Sequence, residues 1–567
     1  MHIAIVGFGP RGLASLEALL NEFSKLNSFK NLEISIFETS ENLGTGKAWS
    51  LDQPETNYIN ISNHALQNLK GRALIVIKNF EIPSFPSYTQ WCLLNNKQEN
   101  VNGTVDVYPP RFQMGQYLYE RATSICEVLA EKKLLKVYNE KVISVTLEKH
   151  LVNVFTKNTK LKVNECLLAL GHTTTKDSDE TIEFKNHATN TNASYIHKPY
   201  ETNFVKDSMV NITVAIKGFG LSMIDIVRQL TSLNFGNFKE KENSKFLKFE
   251  ANNKCVSKII PYSLNGLPCA PKPNDRQVDE LYKPSVNQIN WFELQIKNSL
   301  SKPENYEDVS FIVNPFSKIV SDIFYNISEE KYSLNTIKTV TEKWMQDKNY
   351  KHHLILDNNL PTIDYLKQTA LMAWGDILPT LDYTIGQIWR HLQPTLYRLF
   401  AYCNISGNVM HQIVALDERT KRYSYGPPLK SVLQLIALNE ATILDFNFLE
   451  DPQVKLVSDG WELQQKNNKL NSEVMINSIL DGPVFKKMNS PIFNSLLQQN
   501  LIVEVHKELG VLTNADATIK PTKDYESRIP ISVIGRNAKG SVLGADAILE
   551  CFSPEINNWA VGVSKNL

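Results

Sequence analysis

The chain has 567 residues, 42% of them hydrophobic and 21% charged, which allows several domains around large cores and excludes a disordered or collagen-like polymer. Sixty basic residues cancel sixty acidic ones, so the global positive field of a dedicated nucleic-acid binder is missing. No run of about 18 apolar residues suggests a membrane-crossing helix, and the seven cysteines (Cys92, Cys126, Cys166, Cys255, Cys269, Cys403 and Cys551) form no CxxC pair that would suggest a zinc ribbon or a redox disulfide.

No metal site is therefore expected, and a dilute, odd set of cysteines fits a reducing cytoplasm. Met1 is followed at once by an apolar strand rather than by a basic segment and cleavage site, so the start reads as fold and not as a secretion signal.

In chain order, Ile3 to Val6 is a short β-rich run, Leu13 to Leu26 has helical spacing, and Leu32 to Phe37 is a second β-rich run ending at Glu38. This is a βαβ unit. Further strands are predicted at Lys141 to Thr146, Val152 to Thr156 and Glu165 to Leu170, the last running into Gly171-His172. A second start follows with a strand at Ile212 to Ile216, the turn Gly218-Phe219-Gly220 and a helical run from Leu221 to Leu233. The fold class is thus α/β with two Rossmann-like dinucleotide-binding units. The charged stretch between Phe235 and Phe249 predicts a surface excursion. Pro273 to Phe400 carries helix-length segments without βαβ rhythm and reads as a mainly helical insertion. Near the end, Ile531 to Ile534 returns to a strand and opens a glycine-rich turn, Gly535 to Gly544.

The strongest local motif is Gly7-Phe8-Gly9-Pro10-Arg11-Gly12, a full GxGxxG between a strand and a helix. Gly7 permits the tight turn, Gly9 lets the backbone approach a pyrophosphate, and Gly12 lets helix and sheet pack closely. Pro10 suits a first helical turn, where its missing N–H costs nothing. The helix N-terminus stabilises the pyrophosphate charge, and Glu38 at the end of the second strand can accept hydrogen bonds from a ribose. A glycine turn that serves packing alone is the alternative. The second unit keeps Gly218 and Gly220 but has Ser222 in place of the third glycine, and its hydroxyl can still reach a phosphate. FAD in the first unit and NAD(P)H in the second account for both; a degenerate second turn that binds nothing is the other reading.

Several segments succeed one another over nearly the whole chain: IAIVGFGPRG at the start, GTGKAWS from Gly44, NYINIS from Asn57, YPPRFQMGQYL from Tyr108, LLALGH from Leu167, KGFGLSMIDIV from Lys217, YSLNGLP from Tyr262, YGPP from Tyr425 and the tail GRNAKGSVLGADAI. In this order they resemble the bacterial FAD/NAD(P)-binding proteins of the two-dinucleotide-domain flavoproteins, relatives of flavin-dependent N-hydroxylating monooxygenases. The resemblance implies that Gly46, Ala48 and Trp49 run along the flavin, that Asn60 sits near its ring, and that Arg111 meets a phosphate or flavin oxygen. It implies that the chain crosses the cofactor at Gly171, and that Gly535, Arg536, Gly544 and Asp546 close over it, Asp546 accepting from ribitol hydroxyls. Leu264 and Asn265 stand where the family often carries basic residues, so NADH and NADPH are expected to serve with little discrimination unless Lys254, Lys258 or Lys272 compensates.

The expected organisation is an N-terminal part of a discontinuous FAD-binding domain (1–205), the first part of an NAD(P)-binding domain (206–272), the helical insertion with the substrate region (273–430) and a return to both domains (431–567). The expected activity is an NAD(P)H-consuming, FAD-dependent monooxygenase, N-hydroxylase-like, acting on a small amine or amino-acid-like substrate, with no nucleic-acid or membrane partner. Such an enzyme needs no side-chain nucleophile, and no catalytic side chain is assigned. A flavin-binding interaction or regulatory protein without turnover is the alternative, whereas a disulfide reductase lacks its CxxC.

Overall fold

The apolar run at the N-terminus forms β1 (His2–Val6), whose period-two alternation serves two cores at once. Ile3 and Ile5 pack with Leu13, Leu16 and Leu20 on one face, while Ala4 and Val6 pack with Phe37, Val145 and Val533 on the other. A strand buried on both faces belongs to a parallel sheet covered on both sides.

The computed structural model describes all residues except 27–31, 78–79, 98–104, 201–203, 206–208, 233–234, 303–305, 521–526 and 567. After β1 come α1 (Pro10–Leu26), β2 (Glu33–Phe37), α2 (Arg111–Glu131), β3 (Leu135–Tyr138) and β4 (Glu165–Leu168). The second unit contributes β5 (Ser194–Ile196), β6 (Thr213–Lys217), α3 (Leu221–Thr231) and β7 (Lys258–Tyr262). Among the described residues eight helices then follow, from Arg276–Glu280 to Leu429–Glu440, including α4 (Leu381–Phe400) and α5 (Gly407–Ser424). The chain returns through β8 (Val474–Asn477), β9 (Ile531–Val533) and α6 (Glu555–Ser564).

Both main sheets are parallel. The first has the order β9-β4-β1-β2-β3, so a strand from the end of the chain completes the sheet that the beginning starts. α6 closes the arrangement by laying Trp559, Ala560 and Val563 in the α1 core. The second sheet has the order β5-β8-β6-β7 and is discontinuous in the same way, with β8 arriving from beyond the helices. No helix of the described residues is long and apolar enough to cross a membrane.

Some elements differ from the expectation. The charged stretch after Phe235 is an antiparallel hairpin, Gly236–Glu240 with Leu247–Ala251. Its charged residues face outward in pairs such as Lys239 with Glu250 at 2.5 Å, while Phe238 and Phe249 oppose each other with ring centroids 4.9 Å apart. Average composition hides one apolar pair, but cross-strand register uses it. The helical region runs on to Glu440, past residue 430. α3 ends at Thr231, and the expected end at Leu233 lies outside the described residues, as does the stretch 206–208 beside the expected domain boundary; β5, ahead of that boundary, already pairs in the second sheet.

The N-terminal core also contains a buried charge cluster. Glu17 of α1 accepts from Arg121 Nε at 2.9 Å and Nη2 at 2.6 Å, and from Arg72 Nη1 at 3.0 Å. All three side chains are buried. Removing one member strands the others in a poor dielectric. Glu17→Ala is expected to cost about 3–5 kcal/mol of stability in urea unfolding, and replacing all three residues by apolar ones of similar volume should recover most of that loss.

Candidate cofactor site

Register sets the site. Val6 pairs with Phe37 on one side and Leu168 on the other, so the turn after β1 lies level with Glu38 and Ala169. Gly7 has φ +87°, and a Cβ there would fall 2.5 Å from the Ala169 carbonyl oxygen; a Cβ on Gly12 would fall 2.6 Å from the carbonyl of Gly7. Only glycine fits either place. Pro10 and Arg11 begin α1, directly above this turn. The carboxylate of Glu38 accepts from the Phe8 N–H and the Thr39 N–H, each at 2.7 Å, which holds it beside the glycine turn. Gly46 comes so close to Gly9 that a Cβ on Gly9 would lie 3.4 Å from its Cα. Ala48 and Trp49 follow in a single 3-10 turn pressed on α2, where a Cβ on Gly115 would meet the Trp49 carbonyl at 2.1 Å.

The tail meets this rim. Gly535 has φ +76° and packs on the stem of Arg11, Cδ lying 2.8 Å from where a Cβ would be. Asn537 Nδ2 donates to the Gly171 carbonyl at 3.4 Å, and its Oδ1 accepts from Thr173 Oγ1 at 3.0 Å. Arg536 donates to Asp546 and to the Asp481 carbonyl, each at 3.0 Å, and Lys421 of α5 pairs with Asp546 at 2.9 Å. Burial works against the Asp546 carboxylate, but Lys421, Arg536 and Lys539 hold it well below the usual range. Gly544 has a packing duty, lying under the Tyr397 ring with Cδ2 only 2.3 Å from where a Cβ would be. His172 is pushed down to about 4 by desolvation and then by the positive charge of Arg536, although the residue keeps accessible surface.

The second unit repeats the construction. Lys217 pairs with Tyr262 and with Asn477, and the following Gly218 has φ +115°, with Ser478 Oγ 2.2 Å from where a Cβ would be. Gly220 and Ser222 open α3. A cleft of about 2240 Å³ is lined by Gly218, Gly220, Ser222 and Ser478 at one place and by Lys421 and Tyr425 at another. A Cβ added at Gly220 or Gly171 would meet no atom within 4 Å, so space for a ligand lies beside both.

Two of the residues expected near the cofactor, Arg111 and Asn60, stand in seams between units. Arg111 is paired with Asp225 of α3 at 2.5 Å, donates to the Tyr58 carbonyl at 3.2 Å and lies over the Tyr200 ring at 5.4 Å. Its charge is thus matched within the protein. Asn60 donates to the Tyr425 carbonyl at 3.0 Å, and Lys272 Nζ donates to the Asn60 carbonyl at 2.5 Å and to its Oδ1 at 3.1 Å. Burial and then Arg390 push the Lys272 amine down to about 7. Lys272 therefore stands in the seam with the first unit, and Lys258 pairs with Asp445 at 3.4 Å.

Sequence reasoning did not assign Lys421, Tyr425 or Glu550 a part in the site. Tyr425 donates to Glu550 at 3.0 Å, and Glu550 caps the N–H groups of Asp546 at 2.5 Å and Ala547 at 2.9 Å. The available signals were the YGPP segment and a glutamate four residues after Asp546. Among the described residues one group of metal-ligating type, His411, His506 and Glu508, has its ligand atoms within 4.8 Å of one another; His411 is ion-paired with Glu508 at 2.9 Å.

Two outcomes follow from this geometry. Gly218→Ala forces a side chain into strained backbone against Ser478 and should cost about 1–3 kcal/mol, while Gly220→Ala, facing open space, should leave chemical unfolding nearly unchanged. His172 binds a proton in the unfolded chain below about pH 6.5 but in the folded chain only near pH 4, so stability is lost as pH falls through that window. His172→Gln should flatten this part of a stability-versus-pH curve.

The comparisons with known proteins agree with the reading of the first unit. Residues 4–173 match the family described as FAD-NAD(P)-binding, and no curated protein matches the chain. Similar solved structures include ornithine hydroxylase from Pseudomonas aeruginosa (10% identity, all of this chain and 98% of that one, TM-score 0.46). L-lysine 6-monooxygenase from Pseudomonas syringae (10% identity, all of this chain and 99% of that one, TM-score 0.49) and a bacillithiol disulfide reductase from Staphylococcus aureus (10% identity, all of this chain and 99% of that one, TM-score 0.41) are further examples. Likenesses this distant carry no argument about substrate. Residues 4–173, which carry the first glycine turn at the end of a parallel sheet, thus match an FAD-NAD(P)-binding domain, and FAD and a nicotinamide dinucleotide are the cofactors.

Proposed function

We propose that the chain is an NAD(P)H-consuming, FAD-dependent monooxygenase that acts on a small amine or amino-acid-like substrate, with FAD on the first unit and the nicotinamide dinucleotide on the second. The observation that carries this reading is the cleft itself. It leads from the second glycine turn at Gly218 and Ser222 to Lys421 and Tyr425. Those two residues hold the tail of the first unit through Asp546 and Glu550. The cleft thus joins the second turn to the residues that anchor the tail of the first unit.

Bound FAD supplies hydride acceptance and oxygen activation. The protein's own part is binding, orientation and proton control. Gly7, Gly9 and Gly12 bring backbone close to the pyrophosphate at the start of α1, and Glu38 offers a carboxylate to the ribose. Gly46, Ala48, Trp49, Gly171 and Gly535 line the same rim, with Arg536 and Asp546 closing it. Lys272, whose amine is near its neutral point around pH 7, can take or give a proton at Nζ beside Asn60. Thiol relay chemistry has little support: burial pushes Cys126 and Cys403 up to about 12 and Cys255 up to about 11, so their thiolates are scarce at neutral pH.

The purified protein should be yellow, with one flavin per chain, and should oxidise NAD(P)H faster when the right amine is present, the product gaining one oxygen atom by mass. Gly9→Val, which adds bulk where Gly46 already closes in, should fold by circular dichroism but lose flavin. Full flavin occupancy in that variant would place the cofactor elsewhere.

A further inference from the structure

The two units share one register, which allows a position-by-position comparison. In the first, Val6 pairs with Phe37 and the next residue, Glu38, lies level with Gly7. In the second, Lys217 pairs with Tyr262 and the next residue, Ser263, lies level with Gly218. The end of this strand is where the adenosine ribose of a dinucleotide comes to rest: a carboxylate there accepts the ribose hydroxyls, and a cation accommodates a 2′-phosphate. Ser263 supplies neither charge, and its Oγ already accepts from the Gly266 N–H at 3.1 Å.

A neighbouring segment supplies the charge instead. Ser263 N–H donates to the Leu449 carbonyl at 2.8 Å and the Asp451 N–H donates to the Ser263 carbonyl at 2.9 Å, a parallel bridge that sets Glu450 opposite Ser263. Glu450 is therefore one strand spacing, about 4.8 Å, from the ribose level. The turn wraps closely around it: a Cβ on Gly266 would lie 3.1 Å from the Glu450 Cβ. Glu450 is exposed and lines the same cleft as Gly218, Gly220 and Ser478, and Asp451 beside it is exposed as well. Of the cations on this cleft, Lys258 is paired with Asp445 and Arg422 donates to the Pro268 carbonyl and to Asn358. Lys421 is paired with Asp546 and Arg419 donates to the Met345 and Asp347 carbonyls, which leaves Lys348, Lys351 and Lys466, the last on a hairpin turn, as cations on the cleft that compete with this arrangement.

We infer that Glu450 is a specificity residue of the second unit, accepting the adenosine ribose hydroxyls and repelling a 2′-phosphate, so that the protein prefers NADH to NADPH. The inference rests on the second unit being the nicotinamide site. Leu264 and Asn265 already leave out the positive charge that NADPH needs, and the fold adds a negative one.

The test is anaerobic stopped-flow reduction of the full-length FAD-loaded protein by NADH and NADPH, with calorimetric titration of NAD⁺ and NADP⁺ on the same preparations. The wild type should favour NADH at least about tenfold, equivalent to about 1.4 kcal/mol. Glu450→Gln should close most of that gap by improving NADPH, whereas Lys466→Ala should leave the preference for NADH in place. A wild-type preference for NADPH, or a ratio that Glu450→Gln leaves unchanged, overturns the inference while flavin reduction keeps the nicotinamide reading intact. If neither dinucleotide binds nor reduces the flavin, that reading falls and the inference with it.

Discussion

Two glycines that cannot carry a side chain organise this protein. Gly7 and Gly218 each follow the central strand of a parallel sheet, each has positive φ, and each meets the end of the neighbouring strand at a distance no Cβ tolerates, Ala169 in one case and Ser478 in the other. The neighbouring strands come from far along the chain, β4 and β8. Closing the turn therefore also locks a distant segment into the sheet, and the open ends of the strands become the crevice in which an α/β sheet takes its ligand.

The same contacts make both units discontinuous, and charge holds the resulting seams. Arg111 reaches from the first unit to Asp225 on the second, and Lys421 reaches from the helical region to Asp546 on the tail. Both pairs are shielded enough for the Coulomb term to matter more than in a surface pair. Lys272 and Tyr425 add a third seam around Asn60. The helical region is accordingly a wall of the cleft beside Gly218, and its position relative to the tail is set by Lys421 with Asp546 and Tyr425 with Glu550.

The stability and cofactor experiments above address different parts of this arrangement, because the buried Glu17 cluster lies behind the sheet and the glycine turns lie at its edge. The edge was largely legible. A GxGxxG between a strand and a helix, an acid at the end of the next strand and a second GxG make a local code in which residue type and spacing carry the information. The helical region was legible only as helix-rich, since amphipathic periodicity reports which face is buried and not against what. The hairpin after Phe235 was hidden because one apolar cross-strand pair does not change the composition of a charged segment.

By itself the sequence determined the two dinucleotide-binding units, their strand–glycine–helix order and the local reasons for Gly7, Gly9, Gly12 and Glu38, because these depend on backbone conformation and neighbours a few residues away. Only the tertiary structure decided that Arg111 faces Asp225, that Lys272 serves Asn60, and that Glu450, 187 residues after Ser263, stands level with it at the end of the second unit's strand. Those partners lie on segments brought together by sheet pairing and by burial of the helical region, and no local pattern encodes which distant charge will arrive beside a given strand end.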